Sequence, residues 1–280
     1  MKSILLPTDF SKNSWNAIKY AINFLANTPC TFYLMHVNRL AEISVNTLDY
    51  NINSIVIEDT YTVAAKKQLA SLLKKIALQF PNNSNHAFYT INEADFFIDA
   101  IRKQVLEKKI NLIVMGTKGA TGLEKLILGS NTADIITKVK CNTLVVPENA
   151  KFKNIHQVAF PTDFLQFYGI TTLHPIVDIL EQFEASLRVL HIAKKNSDLN
   201  SDQEKNKEFV ADYFSANKHS FHYLTNTKIE AAIQSFVQDN NIDIIAMVAK
   251  NLNYFQQILF HSKVENISYQ TDIPFLVLHE

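Results

Sequence analysis

The chain has 280 residues, enough for two domains of ordinary size, each able to bury its own core. Hydrophobic residues make up 47% and charged residues 19%, which excludes a disordered chain, and no uninterrupted apolar run is long enough to span a membrane. The net charge is zero, yet residues 1–150 carry 16 Lys and Arg against 12 Asp and Glu, while the remainder carries 11 against 15. A basic first half suits a polyanionic ligand, with modest weight because salt screens dispersed charge over about 8 Å. Nothing resembles the basic runs interleaved with aromatics that nucleic acid requires.

The first residues, Met1 to Asp9, are too briefly apolar, and too soon broken by Pro7 and Asp9, to form a signal peptide, so a cytoplasmic location is expected. They read instead as a first strand. Short apolar runs place strands near residues 2–7, 31–37, 86–90, 111–115 and 142–146, and amphipathic periodicity places helices near 11–26, 60–80, 93–108 and 131–139. Strands alternating with helices of this length imply parallel pairing and right-handed crossovers, with helices on both faces of the sheet. Ligands of such sheets sit beyond the carboxyl ends of the strands, where the strand order reverses. The two cysteines, Cys30 and Cys141, are too few for a disulfide framework and read as small buried residues.

The chain also repeats itself. Ile4-Leu-Leu-Pro-Thr-Asp-Phe10 recurs as Val158-Ala-Phe-Pro-Thr-Asp-Phe164, and Leu34-Met-His-Val37 as Val189-Leu-His-Ile192. Asn111-Leu-Ile-Val returns as Asp243-Ile-Ile-Ala246, and Asn142 to Glu148 as Pro274 to Glu280. The expected architecture is therefore two tandem doubly wound α/β domains, 1–149 and 150–280, joined near Ala150 by a short linker. Residues from Asp198 to Tyr213 are polar at their start and read as a surface loop leading into the second helix of the second domain.

Four of the five glycines, Gly116, Gly119, Gly122 and Gly129, fall between the strand Asn111-Leu-Ile-Val-Met115 and a helical pattern opening at Ser130. A glycine loop between a strand and a helix N-terminus can form a nest of amides for phosphate oxygens, reinforced by the positive end of the helix dipole. The loop lacks the Gly-Lys-Ser/Thr of a P-loop and does not have the dinucleotide spacing. Its spacing is G-x2-G-x9-G-S/T, filled by Gly116, Gly119, Gly129 and Ser130. This resembles the ATP-binding loop of the universal stress protein family, and Pro7-Thr8-Asp9 and His36-Val37 match the family's ends of the first and second strands.

The resemblance implies the fold of the adenine-nucleotide alpha hydrolases, with strand order 3-2-1-4-5 that would bring the first and fourth strands together. It implies ATP, with Mg²⁺, as the ligand. Pro7, Thr8 and Asp9 would meet the adenosine, with Val37 packed on the base and Met115 and Gly116 beneath the ribose. Gly119, Gly129, Ser130, Asn131 and Thr132 would hold the phosphates through backbone N–H groups and the two hydroxyls. Lys118 is the side-chain cation nearest the phosphates in sequence. The resemblance further implies that final strands pair across a two-fold axis, here as an intramolecular pseudo-dimer, with a homodimer of whole chains also open.

The corresponding second loop has lost the pattern. Gly116, Gly119, Gly122 and Gly129 are replaced by Val248, Asn251, Tyr254 and His261, and only Ser262 of the motif remains. One nucleotide per chain is therefore expected, although Asp163 persists in Pro161-Thr-Asp163 and argues for a structural task of that aspartate, such as capping the first helix. Seven of nine histidines lie in the second half, but His219 and His222, three apart on a strand, point to opposite faces and no ligand set is complete, so no metal site is expected. His36 and His191, at matching strand ends, read as a structural pair. Three functions stay open: a nucleotide-dependent stress or signalling module, a slow ATPase, for which no general base is evident, and a nucleotide-free interaction scaffold.

Overall fold

The computed structural model describes residues 1–38, 53–81, 83–117, 129–193, 198–225, 229–249 and 272–280. These group into two compact units, the first comprising the described residues up to Cys141 and the second beginning at Asn142.

In the first unit the elements run β1 (Lys2–Pro7), α1 (Lys12–Phe24), β2 (Cys30–Asn38), α2 (Asn53–Gln79), β3 (His86–Ala94), α3 (Phe97–Glu107), β4 (Leu112–Gly116) and α4 (Ser130–Lys138). The strands are parallel in the order β3-β2-β1-β4, so the sequence direction of strand placement reverses between β1 and β4. Alternation along the strands sends Leu5, Met35, Ile113 and Met115 into a core with Ala100 and Ile101 of α3 and Ile135 of α4. Ile4, Leu6, Phe32 and Leu34 point the other way and are fully buried as well. The helix expected near residue 93 begins at Phe97, because β3 stays in register with the long β2 as far as Asn38 opposite Ala94.

The second unit contains β5 (Thr143–Val146), β6 (Gln157–Pro161), α5 (Ile170–Phe183), β7 (Ser186–Ala193), α6 (Ser201–Tyr213), β8 (His219–Thr225), α7 (Ile229–Asp239), β9 (Ile244–Val248) and β10 (Phe275–Leu278). Its order is β5-β10-β9-β6-β7-β8, parallel except for β5, which is antiparallel to β10 with Phe275 opposite Val145 and Val277 opposite Thr143. The strand β5 ends the first sequence repeat, yet it groups with this unit. All four residues of β5 and of β10 are buried, and a strand apolar on both faces must be paired or covered.

The polar stretch that reads as a loop is helical from Ser201. Asn200 Oδ1 accepts from the amide of Gln203 at 2.9 Å, and Gln203 Oε1 accepts from the amide of Asn200 at 3.0 Å, a reciprocal cap that starts α6 without apolar help. The repeat extends to polar details. Asn111 Oδ1 accepts from the amide of Ser3 at 2.7 Å, and Asp243 Oδ2 accepts from the amide of Gln157 at 3.0 Å, so each repeat ties the start of its first strand to the residue before its fourth.

Candidate functional site

Pairing of Ile4 with Leu112 and Leu5 with Ile113 sets β1 and β4 side by side, so both carboxyl ends emerge at the switch point. From β1 the chain passes through a turn held by its own side chains. Thr8 is buried; its Oγ1 accepts from the amide of Phe10 at 3.0 Å and shares a hydrogen bond with Ser14 Oγ at 3.0 Å. Phe10 adopts a left-handed conformation with φ of 62°, which a phenylalanine enters only when its surroundings enforce it. The enforcement includes His36 at the end of β2, whose Nδ1 donates to Thr8 O at 2.8 Å and whose ring lies 4.6 Å from that of Phe10.

Asp9 is half-buried at the mouth of this turn. Its Oδ1 accepts from the amide of Ser11 at 3.0 Å, and Ser11, the N-cap of α1, in turn accepts from the amide of Ser14 at 3.1 Å. Burial alone would raise the Asp9 pKa, but hydrogen bonds from Ser11 and Ser14 outweigh it and hold the carboxyl below its ordinary value. The carboxylate is therefore charged and still partly open to solvent.

From β4 the chain reaches Gly116 and Thr117. A Cβ at Gly116 would stand 2.7 Å from the side chain of Asn13, a buried residue in the first turn of α1. A side chain here would have to displace that of Asn13, so glycine lets α1 pack closely against β4 and draws the two sides of the site together. Thr117 O accepts from the amide of Gly129 at 2.7 Å, closing the neck of the glycine loop. The remaining glycine-loop positions, including the expected ligand residues Lys118 and Gly119, lie outside the described residues.

Helix α4 then begins at Ser130 behind Gly129, which has no side chain to cap it. The Gly129 carbonyl accepts from the amides of Thr132 and Ala133, so the amides of Ser130 and Asn131 precede the first intrahelical bonds. Thr132 has a different task from the expected binding of phosphate. It is 2% exposed, and its Oγ1 donates to Gly116 O at 2.9 Å, clamping the helix to the end of β4. Val37 and Met115 sit on the apolar face at the strand ends, with Val37 partly buried against the core containing Met115. Pro7 is buried in β1 opposite Met35. Asn13, Ser14, His36 and Thr117 all shape the site without belonging to the glycine pattern; of these the sequence pointed only to His36, through its match with His191 at the corresponding strand end.

The universal stress protein family model matches residues 1–147, more than half of the chain. The chain belongs to the universal stress protein family. A universal stress protein of Methanocaldococcus jannaschii is 30% identical over 152 residues, covering 54% of this chain and 84% of that protein. Among solved structures, a universal stress protein of Archaeoglobus fulgidus matches with a TM-score of 0.67 at 16% identity, over 99% of this chain and 96% of that one. A protein of unknown function from Pseudomonas aeruginosa matches with a TM-score of 0.56 at 14% identity, over 99% and 92%. These likenesses extend the family's fold to the full length of this universal stress protein.

The second unit repeats the strand-end turn. Thr162 Oγ1 accepts from the amide of Phe164 at 3.0 Å, Asp163 Oδ1 from the amide of Leu165 at 3.0 Å, and His191 Nδ1 donates to Thr162 O at 3.0 Å. Asp163 thus closes a turn, as its persistence without a glycine loop implied, although α5 starts only at Ile170 behind Gly169. Among the described residues no group of His, Cys, Asp or Glu is arranged to hold a metal, and no helix is long and apolar enough to cross a membrane.

Proposed function

We propose that the first half of this universal stress protein is a nucleotide-binding module that holds one ATP with Mg²⁺ and passes its occupancy on as a stress or signalling state. The observation that carries this reading is the adjacency of β1 and β4, which gathers the Asp9 carboxylate and the uncapped start of α4 at one switch point. A triphosphate fits the donors present. The amides of Ser130 and Asn131 and the exposed Ser130 hydroxyl face no side-chain cap, and a helix start of this kind attracts anions through its free N–H groups and dipole. Asp9 offers an acceptor on the nucleoside side, while Val37 and Met115 offer apolar surface to a base. Lys118 and Gly119 complete the cradle in the sequence motif. Bound Mg²⁺ would neutralise phosphate charge, and these residues would bind and orient without supplying a base for hydrolysis.

The reading includes location and assembly: a cytoplasmic protein in which the two repeats form a pseudo-dimer, supported by the antiparallel ladder between β5 and β10, the last strands of the two repeats. Calorimetric titration with Mg-ATP tests the proposal. One nucleotide per chain is expected, with stabilisation of about 2.7 kcal/mol at one hundred times the dissociation constant. Gly119→Val should abolish binding, because a β-branched side chain blocks close approach of phosphate to backbone. Two equivalent sites, or unchanged binding in this variant, would refute the assignment.

A further inference from the structure

The second unit carries an apolar surface that the nucleotide reading leaves unused. In the first unit α1 begins at Lys12, soon after Asp9, whereas after Asp163 the chain runs on to Ile170 before α5 starts. The longer loop pushes apolar side chains outward: Leu165 is 59% exposed, Phe167 62% and Ile170 59%. Phe167 packs on Phe209 of α6 with ring centroids 4.8 Å apart, and Phe209 stacks along the helix on Tyr213 at 6.2 Å. Three exposed apolar side chains on the loop and at the start of α5 thus lie beside the half-buried aromatic pair of α6, joined to it through Phe167 in one strip.

The strip is held in place. Gln203 Nε2 donates to Asp163 O at 2.7 Å, Asn206 Nδ2 to Phe164 O at 2.8 Å and Tyr213 OH to Ile170 O at 3.3 Å, so α6 grips the loop at three points. A surface fixed beforehand loses little entropy when it is covered. Large exposed apolar patches on folded domains mark interaction sites. Charge defines what fits. On α6 the lysines Lys205 and Lys207 pair with Asp202 and Glu204, and Glu208 and Asp212, next to Phe209 and Tyr213 in the chain, are exposed and show no ion pair among the described residues; on α5, Asp178 pairs with His174, whose Nδ1 lies 3.5 Å from Tyr213 OH.

We propose that the strip formed by Leu165, Phe167, Ile170, Phe209 and Tyr213 docks an amphipathic helical segment of a partner protein, its apolar face seated on the strip and its flanks rich in Lys or Arg. Basic flanks meet Glu208 and Asp212, and an amphipathic helix presents its apolar anchors to the strip at helical spacing.

A fluorescein-labelled peptide of alternating Leu and Lys patches, about 18 residues long so that it can form a helix, serves as the probe for anisotropy titrations with the full chain. Leu165→Ser with Phe167→Ser should weaken binding by about tenfold or more, and Glu208→Lys with Asp212→Lys by several-fold at low salt. Both variants alter exposed or half-buried positions and should keep the parent melting temperature. Equal affinity in the Leu165→Ser, Phe167→Ser variant would overturn the proposal. So would equal binding of the same peptide with Glu in place of Lys. Self-association of the parent chain in sedimentation equilibrium, lost in that variant, would assign the strip to a second copy and equally overturn it.

Discussion

Thr132→Val separates two roles that this residue could have at the glycine loop. Valine keeps the shape and β-branching of threonine, so the change removes only the hydroxyl. Thr132 is 2% exposed, and its hydroxyl donates to Gly116 O at 2.9 Å, at the point where β4 gives way to the loop. A neutral hydrogen bond contributes about 0.5–1.5 kcal/mol net, and leaving a buried acceptor unsatisfied costs about 1–3 kcal/mol. The expected loss is therefore about 1–3 kcal/mol in the absence of any nucleotide. Trp15, on α1, is the only tryptophan in the chain, so its fluorescence during urea unfolding reports the first unit selectively. In the folded protein Lys75 Nζ lies 4.0 Å from the centre of its ring, and unfolding separates the two. Thr132→Ser, which keeps the hydroxyl, should recover most of the stability. A nucleotide-free Thr132→Val protein with unchanged stability but weakened ATP binding would refute the clamp and restore Thr132 as a direct phosphate ligand.

Asp9 has its pKa lowered in the folded state, so its contribution to stability is complete above the unfolded value, near 3.8, and is lost as pH falls through the lower folded value. Asp9→Asn should therefore flatten the acid limb of the stability profile of the first unit and leave its slope near neutrality unchanged, which urea titrations between about pH 2 and 7 would check. Burial pushes the Cys141 thiol up to about 12 and the Cys30 thiol up to about 11, so neither should react with a thiol-specific disulfide reagent at pH 8 in the native protein; rapid native labelling of either would contradict their burial.

Much of this architecture was legible because its strands are short, apolar and bounded. Ile4-Leu-Leu-Pro7 and Leu112-Ile-Val-Met115 announce themselves by composition, and the recurrence of Pro-Thr-Asp-Phe announces a second copy of the same strand end. The neighbourhood of β1 and β4 was not legible from composition, since strand order depends on pairings distant in sequence; the family resemblance supplied it. The inward turn of Thr132 was hidden for a different reason. A hydroxyl that clamps a carbonyl and one that binds a phosphate occupy the same place in the pattern, and only burial distinguishes them. The aromatic strip of the second unit was masked because residues 161–164 match the first repeat so well. The longer run to α5 is visible only when Lys12 and Ile170 are compared as helix starts.

The strand-end turn bears on how ligand-binding roles should be assigned. In both units a threonine oxygen holds a left-handed phenylalanine, with φ of 62° at Phe10 and 56° at Phe164, and a histidine donates to the threonine carbonyl. A carbonyl only accepts, so Nδ1 carries the proton in His36 and His191 alike. Backbone strain of this kind costs about 1–3 kcal/mol and is frequently a sign of a functional site. Here it recurs in the half whose glycine pattern is gone, so the strain serves the passage from strand to helix in either half, whatever is bound. Asp9 and Asp163 share the same turn-closing bond. Mutation at Asp9 or Phe10 would therefore impair folding and binding together and could not tell them apart. What sets the first half apart in sequence is the glycine pattern that leads into the uncapped start of α4, so substitutions at Gly119 or Ser130 test the proposed nucleotide site apart from the scaffold.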